Sequence, residues 1–125
     1  MKPYYYIVFL LIFNVLTSCN SNLPVPNKLN IVGQWISIDR SDTLRFDGTT
    51  GNMYHSCASA RNNQFTYQLS EDSITLTYDG IVNEDLLPTT HLYYMNGDYL
   101  SIDFKKIACF GFSRKVINYI RLSNK

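Results

Sequence analysis

Histidine, cysteine and tryptophan are scarce in this chain of 125 residues, which carries two His, three Cys and one Trp. The two histidines, His55 and His91, have no partner at the spacing of a four-ligand zinc site. His55 and Cys57 lie two apart and share a side, so a Zn or Cu pair is conceivable. An exposed loop histidine and a disulfide cysteine account for the same residues without metal. There is no Gly-x-Ser-x-Gly elbow and no glycine-rich phosphate loop. Charge of one sign is missing as well: eleven Lys and Arg face ten Asp and Glu, and no basic cluster offers a nucleic-acid footprint. The ten carboxylates fall almost entirely in turn-like segments, where capping explains them. Asp103 is the exception, mid-strand in the polar phase. Hydrolysis by a carboxylate pair needs two of them facing across a cleft at about 5–9 Å, and nothing in their spacing provides that. The expectation is therefore a chain that is not an enzyme and that takes no cofactor, no metal and no nucleic acid.

Long apolar runs are also absent. Residues 4–16 are apolar apart from Asn14, thirteen in all, against the ~20 needed to cross a bilayer as a helix. One lysine followed by a short apolar core has the form of an export signal. Leu16-Thr17-Ser18-Cys19 follows and resembles the bacterial lipobox, in which the cysteine receives a lipid and the signal is cut before it. The resemblance implies a signal peptide over residues 1–18 and a lipidated Cys19 (a palmitate-type acyl anchor). Stable attachment takes more than one acyl chain, at about 0.8 kcal/mol per buried methylene. Residue 20 is Asn rather than Asp, and no acidic run follows. These features lean toward an outer membrane lipoprotein on the periplasmic face. Residues 19–30, with prolines at 24 and 26, read as an extended tether.

With Cys19 assigned to the anchor, Cys57 and Cys109 remain, and an exported chain meets an oxidising compartment. A disulfide between them would close a loop of about 53 residues, worth about 4 kcal/mol by chain entropy. Two separate buried thiols are the alternative.

From residue 31 onward the pattern alternates with period two. Residues 65–69 and 74–78 form one hairpin, and residues 91–95 and 100–104 form another around Asn96-Gly97, a strong tight-turn signal. Weaker strands lie at 31–38, 43–46, 49–54 and 116–122. Residues 107–112 read as strand-like but bent at Gly111. Residues 56–63 and 84–88 read as loops, with at most a helical turn or two near residues 57–61. Strands every eleven or twelve residues indicate an all-β fold, and neighbouring hairpins favour a compact antiparallel eight-stranded barrel over a sandwich. The domain is assigned to residues 31–125.

Gly33-Gln34-Trp35, followed by Leu44-Arg45-Phe46-Asp47-Gly48, resembles the Gly-x-Trp signature of lipocalins and of lipocalin-like domains in small Bacteroidetes-type lipoproteins. That resemblance implies that Trp35 closes one end of the barrel, that Gly33 leaves room for it, and that Arg121 packs across its ring. Seven tyrosines follow residue 19, a number that suits barrel lining or a recognition surface equally. Lys105-Lys106 and Arg114-Lys115 read as solvated strand ends within reach of anionic headgroups. Taken together, the sequence leads to a non-enzymatic, membrane-anchored envelope protein that binds a small apolar or amphipathic ligand or a protein partner. The alternatives are an inhibitor or immunity-type protein that plugs a hydrolase, with residues 56–63 and 84–88 as insertion points, and a structural part of an outer membrane assembly.

Overall fold

The structure, a computed structural model, describes residues 28–58, 60–81 and 85–123. The signal segment, Cys19 and most of the tether lie outside the described residues. The fold begins with a short helix, α1 (Lys28–Ile31), so residues assigned to the tether and to the start of the first strand are helical.

Eight strands follow: β1 (Gly33–Ser37), β2 (Asp42–Phe46), β3 (Asn52–Cys57), β4 (Ala60–Leu69), β5 (Ser73–Tyr78), β6 (Thr89–Asn96), β7 (Tyr99–Asp103) and β8 (Val116–Arg121). Each pairs antiparallel with the next, and β8 returns to β1 through Trp35↔Arg121, Ile36↔Ile120 and Ser37↔Tyr119. The barrel is closed and generically lipocalin-like, and closure leaves no strand edge unpaired.

Alternation sets the core. On β2, Asp42, Leu44 and Phe46 point inward while Arg45 is exposed; on β7, Leu100 and Ile102 do the same. The inward side chains form one continuous cluster from Trp35 to Phe104 and Tyr119. A closed barrel of eight strands is just wide enough for side chains or one small ligand. Here the side chains fill the part nearest Trp35.

That end is sealed by a hydrogen bond and by a stacked cation. Trp35 is fully buried, and its Nε1 donates to the Ile31 carbonyl at 2.8 Å. The Arg121 guanidinium carbon lies 4.1 Å from the Trp35 ring centroid. The same guanidinium donates to Val32 O at 2.7 Å, to Asp98 Oδ1 at 3.0 Å and to Asn30 O. Gly33, at φ +126°, sits where a Cβ would lie 3.1 Å from Arg121 Nη1.

Three local expectations are corrected. Residues 107–112 are not a strand but part of the long β7–β8 connection. The helical turn near residues 57–61 is replaced by the end of β3 and the start of β4. That tight return also turns residues 60–63, expected as loop, into ladder: Asn63 pairs with His55 and is buried.

Candidate functional site at the His55 end of the barrel

The end opposite Gly33 and Arg121 is built from side chains that the alternation turns inward and from one loop laid across them. β2 contributes Asp42, β3 contributes His55 and Cys57, β4 contributes Asn63, β6 contributes His91 and β8 contributes Tyr119. Both histidines are buried, His55 completely, so His55 is not the exposed loop residue expected from the sequence.

Register explains the clustering. Asp42 faces Cys57, and Leu44 faces His55, on adjacent strands. His55 Nε2 lies 2.9 Å from Asp42 Oδ1. One ligand atom from each of Asp42, His55 and Cys57 falls within 4.8 Å of the others. A shift of register between His55 and Cys57 interrupts the β3–β4 ladder at this point, a device that re-aims side chains.

The β1–β2 turn holds Asp42 in place. Asp39 Oδ1 accepts from Ser41 Oγ at 2.6 Å, Ser37 Oγ at 2.7 Å and Ser41 N at 3.0 Å. Ser37 Oγ in turn accepts from Asp42 N at 2.9 Å. The Ser41 hydroxyl and the other donors keep the Asp39 carboxyl well below the usual carboxylate range.

Residues 104–115 cover the opening. Phe112 stacks on His55 with ring centroids 4.0 Å apart and 23° between planes, and on Phe104 at 4.4 Å and 13°. Phe104 continues to His91 at 4.7 Å, and Phe110 meets Tyr78 at 4.4 Å. Gly111, at φ +80°, lets the backbone pass closely: a Cβ there would lie 2.7 Å from Asn63 Nδ2. Arg114 Nη2 fastens the loop by donating to Lys105 O at 3.3 Å and Lys106 O at 3.2 Å.

Beneath this cover two polar atoms are buried without a hydrogen-bond partner: His55 Nδ1 and the Tyr119 hydroxyl. Burial, with the nearby Asp42 and Asp39 charges, pushes the Tyr119 phenol far above its ordinary value, so it stays protonated.

The expected disulfide is absent: Cys57 and Cys109 are not joined. Cys57 stands beside Asp42 and His55 on the β2–β3 wall. Cys109 is buried, and its thiol is pushed up by desolvation while Thr89, at the start of β6, hydrogen-bonds it. Cys57 therefore lies on β3, whereas Cys109 lies on the β7–β8 connection beside Thr89 of β6.

Gly33, Trp35 and Arg121 come together toward the opposite end, with Trp35 two strands from His55 through Leu44. Two open clefts flank that end, one of about 660 Å³ bordered by Asn30, Met95, Asp98 and Arg121, the other of about 500 Å³ bordered by Val32, Arg45, Phe46 and Thr49.

Asp42 is the member of this cluster that sequence reasoning passed over as a turn carboxylate. Its phase with Leu44 and Phe46 was the available signal, since extending β2 by one residue turns it inward. No helix of the described residues is long and apolar enough to cross a membrane. Comparison with protein-family models, with curated proteins and with solved structures gives no match to this chain, so the lipocalin-like description stands on its closed strand pairing.

Proposed function

We propose that this chain is a non-enzymatic envelope protein, anchored through a lipid on Cys19 to the periplasmic face of an outer membrane, that binds a small apolar or amphipathic ligand at the His55 end of its barrel. The observation that carries this reading is the aromatic cover: Phe112 lies in the mouth between His55 and Phe104, half-buried, on a loop rather than on a strand. A flat or branched apolar group that displaced Phe112 would meet the same ring faces. Because inward side chains already fill the barrel beneath, the ligand sits at the mouth in place of Phe112 rather than in a deep cup.

The rim suits such a role. Ile81, Leu87, Ile107 and Phe110 are all exposed on the two long connections of this end. Exposed apolar groups gathered at one place mark interaction sites more often than scattered ones do.

Native mass spectrometry of the full chain gently extracted from membranes tests the reading. An added mass of a small amphiphile is expected, and it should be retained in an Arg45→Ala variant and reduced in His55→Phe. Recovery of the chain with no small molecule, together with failure of apolar probes to bind the Phe112→Ala variant, overturns it.

A second reading has its own support. Leu87, 82% exposed beside Leu86 on the β5–β6 connection, is an apolar protrusion of the kind that enters a partner's cleft, which favours the hydrolase-inhibitor role. Stoichiometric capture of an envelope hydrolase that depends on Leu87 would select this reading over ligand carriage.

A further inference from the structure

Asp42 and Cys57 take no part in the ligand reading, and we propose that together with His55 they form a metal site for a zinc-class divalent ion on the inner rim of the barrel. One carboxylate oxygen, one imidazole nitrogen and one sulfur already lie within 4.8 Å of one another. Carboxylate, imidazole and thiolate are the three protein ligand types zinc uses, and three of them with one position left for water or another donor is a common zinc arrangement. The thiolate excludes magnesium and calcium, which prefer oxygen ligands.

Three further observations bear on the site. The donors come from two adjacent strands in fixed register, Asp42 opposite Cys57, so they are held by the ladder rather than by a loop. The register shift between His55 and Cys57 changes the aim of the third donor relative to a regular strand. His55 is fully buried with Nδ1 lacking any hydrogen-bond partner while Nε2 faces Asp42. Nε2 is the nitrogen turned toward the carboxylate and is the one that an ion shared with Asp42 would take, while Nδ1 lies on the side of Gly111.

Access does not require the barrel to open. Cys57 is partly exposed, and the Asp42 side chain retains 11% exposure. On binding, the Cys57 thiol gives up its proton to solvent and the ion takes the thiolate, so affinity rises with pH. The ion would also tie β2 to β3 at the edge of the imidazole on which Phe112 rests.

The test uses the full, reduced chain titrated with Co²⁺ and then with Zn²⁺. One cobalt per chain is expected, with a sulfur-to-cobalt charge-transfer band that Zn²⁺ abolishes. Cys57→Ser should remove the band and weaken zinc by more than the ~10–100-fold that loss of an outer partner produces. Asp42→Asn should weaken zinc at least about tenfold, whereas Cys109→Ser and Cys19→Ser should leave band and affinity unchanged. Cys57→Ser replaces a partly exposed side chain, and its unchanged Trp35 fluorescence would verify that the barrel is intact. No stoichiometric band, or a band that survives Cys57→Ser or disappears with Cys109→Ser, overturns the proposal.

Discussion

The ring of Phe112 lies 4.0 Å from that of His55, nearly parallel to it, so a residue of the β7–β8 connection rests on a residue of β3 and closes the barrel mouth. Stacked rings contribute about 0.5–1.5 kcal/mol beyond the area they bury. Replacing Phe112 by alanine should therefore destabilise the barrel by about 1–3 kcal/mol, less than a fully buried phenylalanine would. It should also increase the native-state fluorescence of an apolar dye. Urea denaturation and dye binding measure the two effects. Unchanged stability with unchanged dye binding would mean that Phe112 does not cover the mouth.

The opposite end responds differently. Trp35→Ala should cost about 3–5 kcal/mol, as for other large buried rings. Arg121→Lys keeps the charge but loses the fork that reaches Val32 O, Asn30 O and Asp98 together. It should cost about 1–3 kcal/mol, the range of hydrogen bonds to charged groups. A loss below about 0.5 kcal/mol, within the usual range of surface substitutions, would show that the clamp adds nothing.

Stability should fall on mild acidification, and His91 gives the sign. Burial pushes its imidazole below the ordinary histidine value, against the opposing pull of Asp103. Between the folded and unfolded values the unfolded chain binds more protons, so the His91 contribution is complete above about pH 6.5 and is lost as pH falls. Asp39, whose carboxyl is held low by Ser41 and Ser37, acts in a separate window: its contribution is present above the unfolded carboxylate value and disappears at more acid pH. Urea midpoints followed from about pH 7.5 to about pH 5.5 should drop in the native chain and drop less in His91→Gln. Equal slopes would remove His91 as the cause.

Cys19→Ala should release the protein from membranes, because one unmodified chain has no acyl anchor. Fractionation of cells carrying the variant decides this. Persistence in the membrane fraction would show that residues 4–16 themselves hold the chain there.

The barrel was legible because its signal is local and repeated. The period-two pairs of β4 with β5 and β6 with β7, and the Asn96-Gly97 turn, each encode a hairpin within about twenty residues. The His55 end was much less so. Asp42 acquires its partners only when β2 is laid beside β3, and Phe112 only when residues 104–115 fold back over strands that lie far away in sequence. The apolar run around Phe110 and Phe112 has the composition of a strand, but the left-handed backbone at Gly111 and the ring contacts across the mouth make it a cover. The disulfide expectation failed for a similar reason. Cysteine counting assumes that two remaining thiols seek each other, whereas Cys109 is satisfied by an apolar setting and Thr89.

The return of β8 to β1 joins residues as far apart as Trp35 and Arg121. No shorter portion of the chain can complete the ring, since β1 keeps a bare edge until the last strand is delivered. Contacts of such long sequence separation form late and slowly. A chain still lacking β8 is consequently kept from locking prematurely. Removing even the final strand would trap the molecule as an open, self-adhesive sheet.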